Sequence, residues 1–403
     1  MQIGPIWRAL MRNKTGAILI ALQVAVTMAI MVNAISIIQS RSESMARPSG
    51  VDEENIFHIA SVGYTEDFDE QSVIEQDLDA IRAMPGVIDA IQTNSVPLSG
   101  GGWSMGLQTE PGEDQEGVGV AVYFVDEHAL DAYGLSLVAG ENFTAADVTW
   151  RERTSQEWSA TTLLTQAMAE SLFPDNWRDA LGATVYINGN EPMTVKGIVE
   201  RMQAAWNGWD GVERVMLVPQ HTLFGSTRYV IRTEPGERDR LMPEVEKLLA
   251  DRNRDRIVRN MQTMTETRER SYRGDSSMIK ILTFTIVLLL LITSLGIVGL
   301  ASFSVSRRTK QIGTRRALGA SKASIARYFM TENVLISGVG VVLGAALTIA
   351  LNMFLVDAFD LDRLDVWLVP AAMLVLLVVG QLAVFGPARR ASAVPPAVAT
   401  RTI

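Results

Sequence analysis

The sequence predicts a membrane protein: four transmembrane α-helices in a 1+3 arrangement, with a large α+β extracytoplasmic domain of two lobes between helices 1 and 2. Residues 41–275 contain 40 of the 45 acids and 21 of the 36 bases, a net charge of −19, whereas the remainder carries +10. Four apolar stretches lie in that basic remainder, one before the acidic segment and three after it. This division is typical of a membrane protein with one water-facing domain.

The apolar stretches have the length of membrane spans. Gly16–Ile38 has 23 residues without a charge, enough for a hydrocarbon core of about 30 Å and longer than the apolar region of a cleaved signal peptide, ~7–15 residues. The predicted segments are an amphipathic interfacial helix at 1–15, transmembrane helix 1 at 16–40, the extracytoplasmic domain with its stalk at 41–275, transmembrane helix 2 at 276–305, a basic loop at 306–330, transmembrane helix 3 at 331–356, an external loop at 357–365, transmembrane helix 4 at 366–386 and a tail at 387–403.

Lys and Arg in the short flanks predict the orientation. The segment Ser306–Arg327 carries seven of them and no acid, and both termini are also basic without acids. The interfacial helix places Ile3, Ile6, Trp7, Leu10 and Met11 on one face, opposite Arg8, Arg12 and Lys14. The external loop instead carries four acids, Asp357, Asp360, Asp362 and Asp365, against Arg363 alone. Both termini and the basic loop are therefore predicted to be cytoplasmic.

Small residues recur where a second helix could approach closely. In transmembrane helix 1 they are spaced by four, and in transmembrane helix 3 two glycines have GxxxG spacing. We predict helix-packing or dimer contacts at Ala17, Ala21, Ala25, Ala29, Gly340 and Gly344.

Apolar periodicity and turn residues divide the extracytoplasmic domain into alternating strands and helices. Its first elements predict a β-α-β unit, and Ser99–Gly106 is interpreted as a flexible Gly-rich loop. Strands are predicted at Asn55–Val62, Val87–Val96, Gly119–Val125, Thr161–Leu164, Thr184–Ile187, Met193–Val199, Val215–Val218 and Tyr229–Thr233, and helices at Gln71–Met84, Thr165–Phe173, Arg238–Asp251 and, as a stalk, Met261–Ser276.

The motifs of common enzyme classes are missing from the sequence. It contains no GxxxxGK[ST] loop, HExxH or GxSxG. The absence of cysteine excludes disulfides and thiolate metal sites, and His58, His128 and His221 stand singly, as surface or packing residues do. We therefore expect no catalytic, cofactor-binding or metal-binding residues and no nucleic-acid partner.

Two features of the domain leave alternatives open. Trp206 and Trp209 lie between predicted strands and either contact a partner or lipid or pack against the domain itself. The charge of −19 would attract cationic ligands over about a Debye length, ~10 Å, but an ordinary acidic surface is the preferred interpretation.

The basic loop carries the most specific pattern of the chain. Gln311-Ile312-Gly313, followed by Arg315-Arg316-Ala317-Leu318-Gly319-Ala320-Ser321, resembles the cytoplasmic loop of FtsX-like permeases, the membrane part of MacB-like, mechanotransmitting ABC transporters. The start WRALMRNKTG, the segments LVAGENFTAADV and LLTQAMAESLFPD and the tail PARRASAVPPAVATR are similar to that family as well.

The resemblance implies a mechanism and a set of partners. Residues Ile312–Ser321 would form the coupling helix, seated in a groove of a separate ATPase that binds ATP and Mg, because the fused ATPase of MacB is not found in this sequence. The external lobes would be porter-like and sabre-like. A second permease copy or a paralogue, a MacA-like periplasmic adaptor, an outer-membrane channel and membrane lipids would be further partners, in a bacterial cytoplasmic (inner) membrane. The substrate, a drug, peptide or similar, would be extruded from the periplasm.

The residues themselves predict a rigid corner in this loop. Gly319 can take the left-handed conformation that ends a helix, and Ser321 can cap the next. Two short helices would then meet between them, Arg315–Leu318 and the segment from Lys322 onward. The loop's basic side chains either contact the ATPase or only enforce topology.

Two other functions remain open within and beyond this family. One is release of lipoproteins by a LolC/LolE-like permease, for which an apolar cavity between the spans is expected. The other is an FtsX-like transmembrane regulator of a periplasmic cell-wall hydrolase. Neither would make the chain itself an enzyme.

Overall fold

The computed structural model describes residues 14–65, 67–112, 117–359 and 363–396. The predicted interfacial helix up to residue 13, the loop acids Asp360 and Asp362 and the tail residues 397–403 lie outside this range. The chain divides into two compact units, a membrane unit formed by Met1–Met45 with Asp275–Ile403, and an outer domain formed by Ala46–Gly274.

The membrane unit contains four helices that are long and apolar enough to cross a membrane. One precedes the outer domain in the chain and three follow it, which confirms the predicted 1+3 arrangement. The segment predicted as a loop between the second and third spans is itself helical. The helices of this unit are α1 (Lys14–Ala46), α7 (Arg273–Arg307), α8 (Thr309–Ala317), α9 (Lys322–Phe359) and α10 (Leu368–Ser392).

Helix α1 is the most enclosed of the four long helices. In its most apolar window 61% of the residues are buried, against 11% in α7 and 28% in both α9 and α10. Polar groups on α1 meet the other helices: Thr27 Oγ1 lies 2.8 Å from Thr293 Oγ1 of α7, and Asn33 Nδ2 donates to the carbonyl of Thr348 in α9 at 3.3 Å. Such interhelical bonds satisfy groups that lipid cannot.

The outer domain has two β-sheets. Its strands are β1 (Ile56–Gly63), β2 (Val87–Thr93), β3 (Trp103–Gln108), β4 (Val118–Val125), β5 (Leu137–Gly140), β6 (Thr149–Glu152), β7 (Thr161–Thr165), β8 (Thr184–Ile187), β9 (Glu191–Val199), β10 (Val215–Leu223), β11 (Ser226–Thr233) and β12 (Arg256–Thr263). Its helices are α2 (Glu70–Arg82), α3 (Ala129–Tyr133), α4 (Gln166–Leu172), α5 (Arg238–Arg252) and α6 (Met264–Ser271).

The first sheet has the strand order β12-β1-β11-β2, with β11 antiparallel to both β1 and β2. The predicted β-α-β unit is therefore split, because β1 and β2 are parallel but separated by β11. With α2 and α5 covering one face, the chain order β1-α2-β2 and β11-α5-β12 has a split β-α-β, ferredoxin-like topology. The second lobe is inserted between β2 and β11.

The inserted lobe is built on the strand order β4-β3-β8-β9-β7-β10-β6, and β10 also pairs with β4 in parallel. Six strands thus close into a ring around a core that includes Phe124, Leu164, Ile198 and Met216.

Two local predictions in the outer domain were wrong. The Gly-rich loop ends in strand β3, because Trp103 stacks on Phe224 at 5.4 Å and this segment pairs with β4. The stalk is not one continuous helix: β12 extends to Thr263, whose side chain caps α6 in a capping box with Glu266. Helix α6 then ends at Ser271, and Tyr272 alone separates it from the start of α7.

Candidate functional site

The predicted coupling segment forms a tight corner between α8 and α9. Gly319 has φ of +93°, and the amides of Gly319 and Ala320 donate to the carbonyls of Arg316 (3.1 Å) and Arg315 (3.0 Å). These two bonds make a Schellman motif, which requires a left-handed residue at the position of Gly319. Ser321 Oγ then accepts a hydrogen bond from the amide of Ser324 at 3.2 Å and caps α9. The cap and the turn are as predicted, but neither helix has the predicted length: the first is Thr309–Ala317 rather than Arg315–Leu318, and the second is the whole of α9.

A small apolar core holds the corner in place. Ile312 of α8 is 4% exposed and packs with Ile325 and Phe329 of α9 and with Ala388 and Ala391 of α10. Helices α9 and α10 therefore fix the orientation of α8, and neither Ile312 nor the buried Gly313 beside it is open to another protein.

Several of the basic side chains act within the chain. Arg308 Nη1 lies 3.0 Å from a carboxylate oxygen of Glu332. Arg316 donates to the carbonyl of Ala320 at 2.8 Å and braces the corner, and the Arg315 guanidinium lies 5.2 Å from the centre of the Tyr328 ring. These arginines stabilise the corner in addition to any role in topology.

The tip of the corner faces outward. Leu318 is 83% exposed, and Ala317, Gly319 and Ser321 beside it are exposed too. The predicted coupling set thus separates into an exposed group, Arg315, 317–319 and 321, and a buried or half-buried group, Ile312, Gly313, Arg316 and Ala320, that supports it.

The small residues of α1 and α9 meet each other. A Cβ on Gly340 would lie 2.9 Å from the carbonyl oxygen of Ala21, and one on Gly344 would lie 2.9 Å from Met28 Cβ and 3.1 Å from Ala25 Cα. Ala29 is also buried on α1, and Ala17 packs at the edge of the same core. These contacts join two helices of one chain.

Glu332 and Asn333 of α9 were not predicted as site residues. Asn333 Nδ2 donates to the carbonyl of Gly380 in α10 at 3.0 Å, and Glu332 holds Arg308. Both side chains line a cavity of about 60 Å³ within the membrane unit, together with apolar residues such as Ile297 and Val384. One signal was available, since Glu332 is the sole acid between residues 276 and 356.

Trp206 and Trp209 are both half-buried, with ring centres 6.1 Å apart and planes at 88°. Trp209 packs against Gly119, where an added Cβ would lie 3.1 Å from its ring, and the Arg214 guanidinium lies 5.4 Å from it. Trp206 lines a cavity. Among the residues that the structure describes, no group of His, Asp and Glu is arranged to hold a metal ion.

Two family models cover most of the chain. Residues 17–248 match the MacB-like periplasmic core domain, and residues 283–396 match the FtsX-like permease C-terminal domain. The chain belongs to the MacB-like, FtsX-type permease family. The predicted family and fold class, four spans with a MacB-like domain between the first two, are confirmed.

Among curated relatives of this MacB-like permease is a macrolide export ATP-binding/permease protein MacB 1 of Yersinia pestis, 26% identical over 407 residues, which cover 97% of this chain and 59% of the relative. The MacB of Chromobacterium violaceum is 27% identical over 292 residues, which cover 69% of this chain and 43% of the relative. The permease spans about half the length of the curated relatives it matches.

Solved structures similar to this permease include the periplasmic region of MacB from Actinobacillus actinomycetemcomitans, with 16% identity, a TM-score of 0.34 and coverage of 54% of this chain and 94% of that one. The extracellular domain of YknZ, a noncanonic ABC-type transporter from Gram-positive bacteria, has 18% identity and a TM-score of 0.32, covering 50% of this chain and all of that one.

Proposed function

We propose that this MacB-like permease is the non-catalytic membrane subunit of an ABC transporter and that a separate ATPase docks on the corner between α8 and α9. Leu318 carries this proposal. A leucine that is 83% exposed, at the tip of a corner whose core joins α8, α9 and α10, offers an apolar anchor with little backbone conformational entropy to lose on docking. The exposed cations Lys310 and Arg327 on the same two helices would meet acidic residues at the rim of such a groove.

In this proposal the ATPase alone binds ATP and Mg, and its closure moves the corner. Helix α7 would transmit that movement, since it runs without interruption from Arg273, one of the last two residues of the outer domain, to Arg307, two residues before α8. A rigid helix pair joined by a Schellman motif passes on displacement better than a loose loop, because its backbone hydrogen bonds are satisfied on both sides of the turn.

The same proposal assigns the sides of the membrane. The corner and both termini would be cytoplasmic by the positive-inside rule, and the outer domain would lie outside the bacterial inner membrane. Relatives of this chain are named for macrolide export. We therefore propose an amphiphilic drug or peptide, extruded from the outer side by a dimer of this permease or by its pairing with a paralogue, with a periplasmic adaptor and an outer-membrane channel.

Because the chain lacks cysteine, a single introduced cysteine can report both on docking of the ATPase and on the side of the membrane at which it lies. A Leu318→Cys variant carrying a photo-crosslinker in native membranes is expected to capture a protein with nucleotide-binding motifs, identified by mass spectrometry. Gln156→Cys, at an exposed position of the outer domain, is the matched control and is expected not to capture it.

Labelling of intact cells separates the two sides. A membrane-impermeant maleimide is expected to modify Gln156→Cys in intact cells and Leu318→Cys only after permeabilisation. The docking proposal would be refuted if Leu318→Cys captured no ATPase, or if the maleimide modified this cysteine in intact cells.

A further inference from the structure

The outer domain contains a cavity of about 460 Å³ whose chemistry is opposite to that of the domain as a whole. Its floor is the face of the first sheet that turns away from α2 and α5. Arg228 of β11 lies on this face opposite Ala60 of β1, and His58, two residues earlier on β1, lies opposite Gln262 of β12. The volume is within the range of ligand pockets, roughly 300–1,000 Å³.

The opposite wall comes from two loop segments that hold each other. The amides of Leu98 and Gly100 donate to the carbonyls of Ala204 (3.0 Å) and Ala205 (2.8 Å). The second segment continues into Trp206, and the Asn207 side chain then donates to the carbonyl of Ser271 at the end of α6 at 3.1 Å. The cavity is thus preformed, with an apolar wall of Leu98, Ala205 and Trp206.

Two arginines give the cavity its charge. Arg228 and Arg270 both line it, and no acid does, in a domain that holds most of the acids of the chain. Within the part of the chain that the structure describes, neither guanidinium has an ion-pair partner. The nearby carboxylate of Glu266 is engaged with the amide of Thr263 at 2.9 Å. A half-buried arginine without a counter-charge is costly unless an anion joins it.

The pKa of His58, which also lines the cavity, reports on the charges of both arginines. Burial, together with the charges of Arg228 and Arg270, lowers the pKa of His58 to about 4, although the carboxylate of Glu266 opposes the shift. Its Nε2 lies 2.9 Å from Thr267 Oγ1. At neutral pH the ring is therefore uncharged, and the positive potential of the cavity comes from the two arginines.

We propose that this cavity binds an organic anion, a carboxylate or phosphate carried on an apolar or aromatic body. The anionic group pairs with Arg228 and Arg270, and the body packs against Trp206 and Leu98. Arginine suits this role because its planar fork gives paired hydrogen bonds to either oxyanion. Binding here requires no ATPase and stands independently of docking at Leu318.

The test is calorimetric titration of the full chain in lipid nanodiscs, with empty nanodiscs subtracted. The probes share one ring system: 1-naphthylacetate, 1-naphthyl phosphate and the neutral 2-(1-naphthyl)ethanol, with inorganic phosphate as the anion without a body. At least one naphthyl anion is expected to bind ten-fold or more tightly than the neutral alcohol and than inorganic phosphate. The order of the two anions distinguishes carboxylate from phosphate.

Variants locate the binding. Arg228→Gln and Arg270→Gln are each expected to weaken the anion about ten-fold and to leave the alcohol unchanged, and Arg228→Lys is expected to retain part of the affinity. Arg178→Gln is the matched control, because that guanidinium lies 4.3 Å from the Trp177 ring and outside the cavity. Arg270 is exposed on α6, so its variant keeps the test valid if Arg228→Gln fails to fold.

Three results would overturn the proposal. They are equal affinity for the naphthyl anions and the alcohol, unchanged anion affinity in the folded arginine variants, and no binding of any probe at millimolar concentration.

Discussion

The outer domain contains a fully buried ion pair. Arg256 of β12 pairs with Asp77 of α2, both almost completely inaccessible, and the Tyr229 hydroxyl donates to the same carboxylate at 2.7 Å. In the middle of the membrane unit the buried contacts include neutral hydrogen bonds, such as Thr27 with Thr293, and close approaches of small residues, such as Gly344 of α9 against Ala25 of α1.

Charge in the membrane unit lies near the ends of its helices. Arg41 pairs with Asp275 at 3.0 Å at one end, and Arg308 pairs with Glu332 at 3.0 Å at the other. The difference follows from the surroundings. A water-facing domain can bury a charge beside its counter-charge at a tolerable cost, whereas a charge in the middle of a bilayer is expensive and helices there associate by close packing.

The largest effect that would test this contrast is at the buried ion pair. Arg256→Met leaves the Asp77 carboxylate buried without its cation, so the outer domain is expected to lose about 3–5 kcal/mol of its free energy of unfolding. Tryptophan fluorescence during denaturation can follow this loss, since six of the eight tryptophans lie in residues 46–274.

Arg240→Met is the control for that variant. Arg240 also contacts two carboxylates, those of Glu237 and Glu244, but on the exposed surface of α5, where solvent screens the charges and a much smaller loss than in Arg256→Met is expected. Equal losses in the two variants would show that burial of the Arg256–Asp77 pair is unimportant.

The second effect is a pH dependence confined to the outer domain. Burial lowers the pKa of His58 to about 4 in the folded state, from an ordinary value of 6.5. The unfolded chain then binds the extra proton first, so stability present above pH 6.5 is lost as the pH falls towards 4. His58→Gln is expected to remove roughly 3 kcal/mol of this dependence, measured as denaturation midpoints across that range.

Asp126 supplies a control of opposite sign. Burial raises the pKa of its carboxyl to about 6, although Arg82 opposes the shift. Here the folded state holds the proton longer, so ionisation between pH 4 and 6 lowers stability. Asp126→Asn is therefore expected to make the rise of stability with pH steeper. A flatter profile would contradict the assignment.

The third effect tests close packing in the membrane unit. Gly344→Leu would force a side chain into Met28 and Ala25 of α1, and overpacking of this kind costs about 1–3 kcal/mol. Loss of helix by circular dichroism during SDS titration would measure it. Gly338→Leu on the same helix is the control, because an added Cβ there meets nothing within 4 Å. If both variants unfold alike, the α1–α9 contact does not hold the unit.

The smallest effect concerns the neutral hydrogen bond between α1 and α7. Thr27→Val keeps the shape of the side chain but loses the bond to Thr293, for a cost of ~0.6 kcal/mol, measured by the same titration. Thr285→Val should change nothing measurable, because among the described residues that hydroxyl donates to the carbonyl of Ile281 in its own helix and to no other helix. A loss above about 2 kcal/mol at Thr27 would place this bond on a par with buried ion pairs.

Local signals in the sequence were enough for the corner and the spans. Gly319 and Ser321 specify the end of one helix and the cap of the next through contacts that reach no further than five residues. The four apolar stretches are equally local. The docking of an ATPase at Leu318 remains a prediction.

Local signals did not predict which side chains contact one another in the folded chain. Arg308 and Arg316 look alike in the sequence as basic loop residues, yet one holds Glu332 and the other braces Ala320. The split sheet escaped prediction for a similar reason, since β1 pairs with β11 and β12 from the far end of the domain.

The sequence by itself determined the membrane topology pattern and the rigid corner, because periodicity, charge bias and helix caps depend on neighbours along the chain. It indicated the family through the resemblance of its motifs. Only the tertiary structure decided which arginines have a partner within the chain and which face a cavity without an ion-pair partner. Arg228 and Arg270 face one cavity only because the sheet brings β11 beside β1 and α6 closes the rim. Contacts between residues so far apart in the sequence depend on packing of the whole domain. The acidic composition of the domain therefore gave no indication of its cationic cavity.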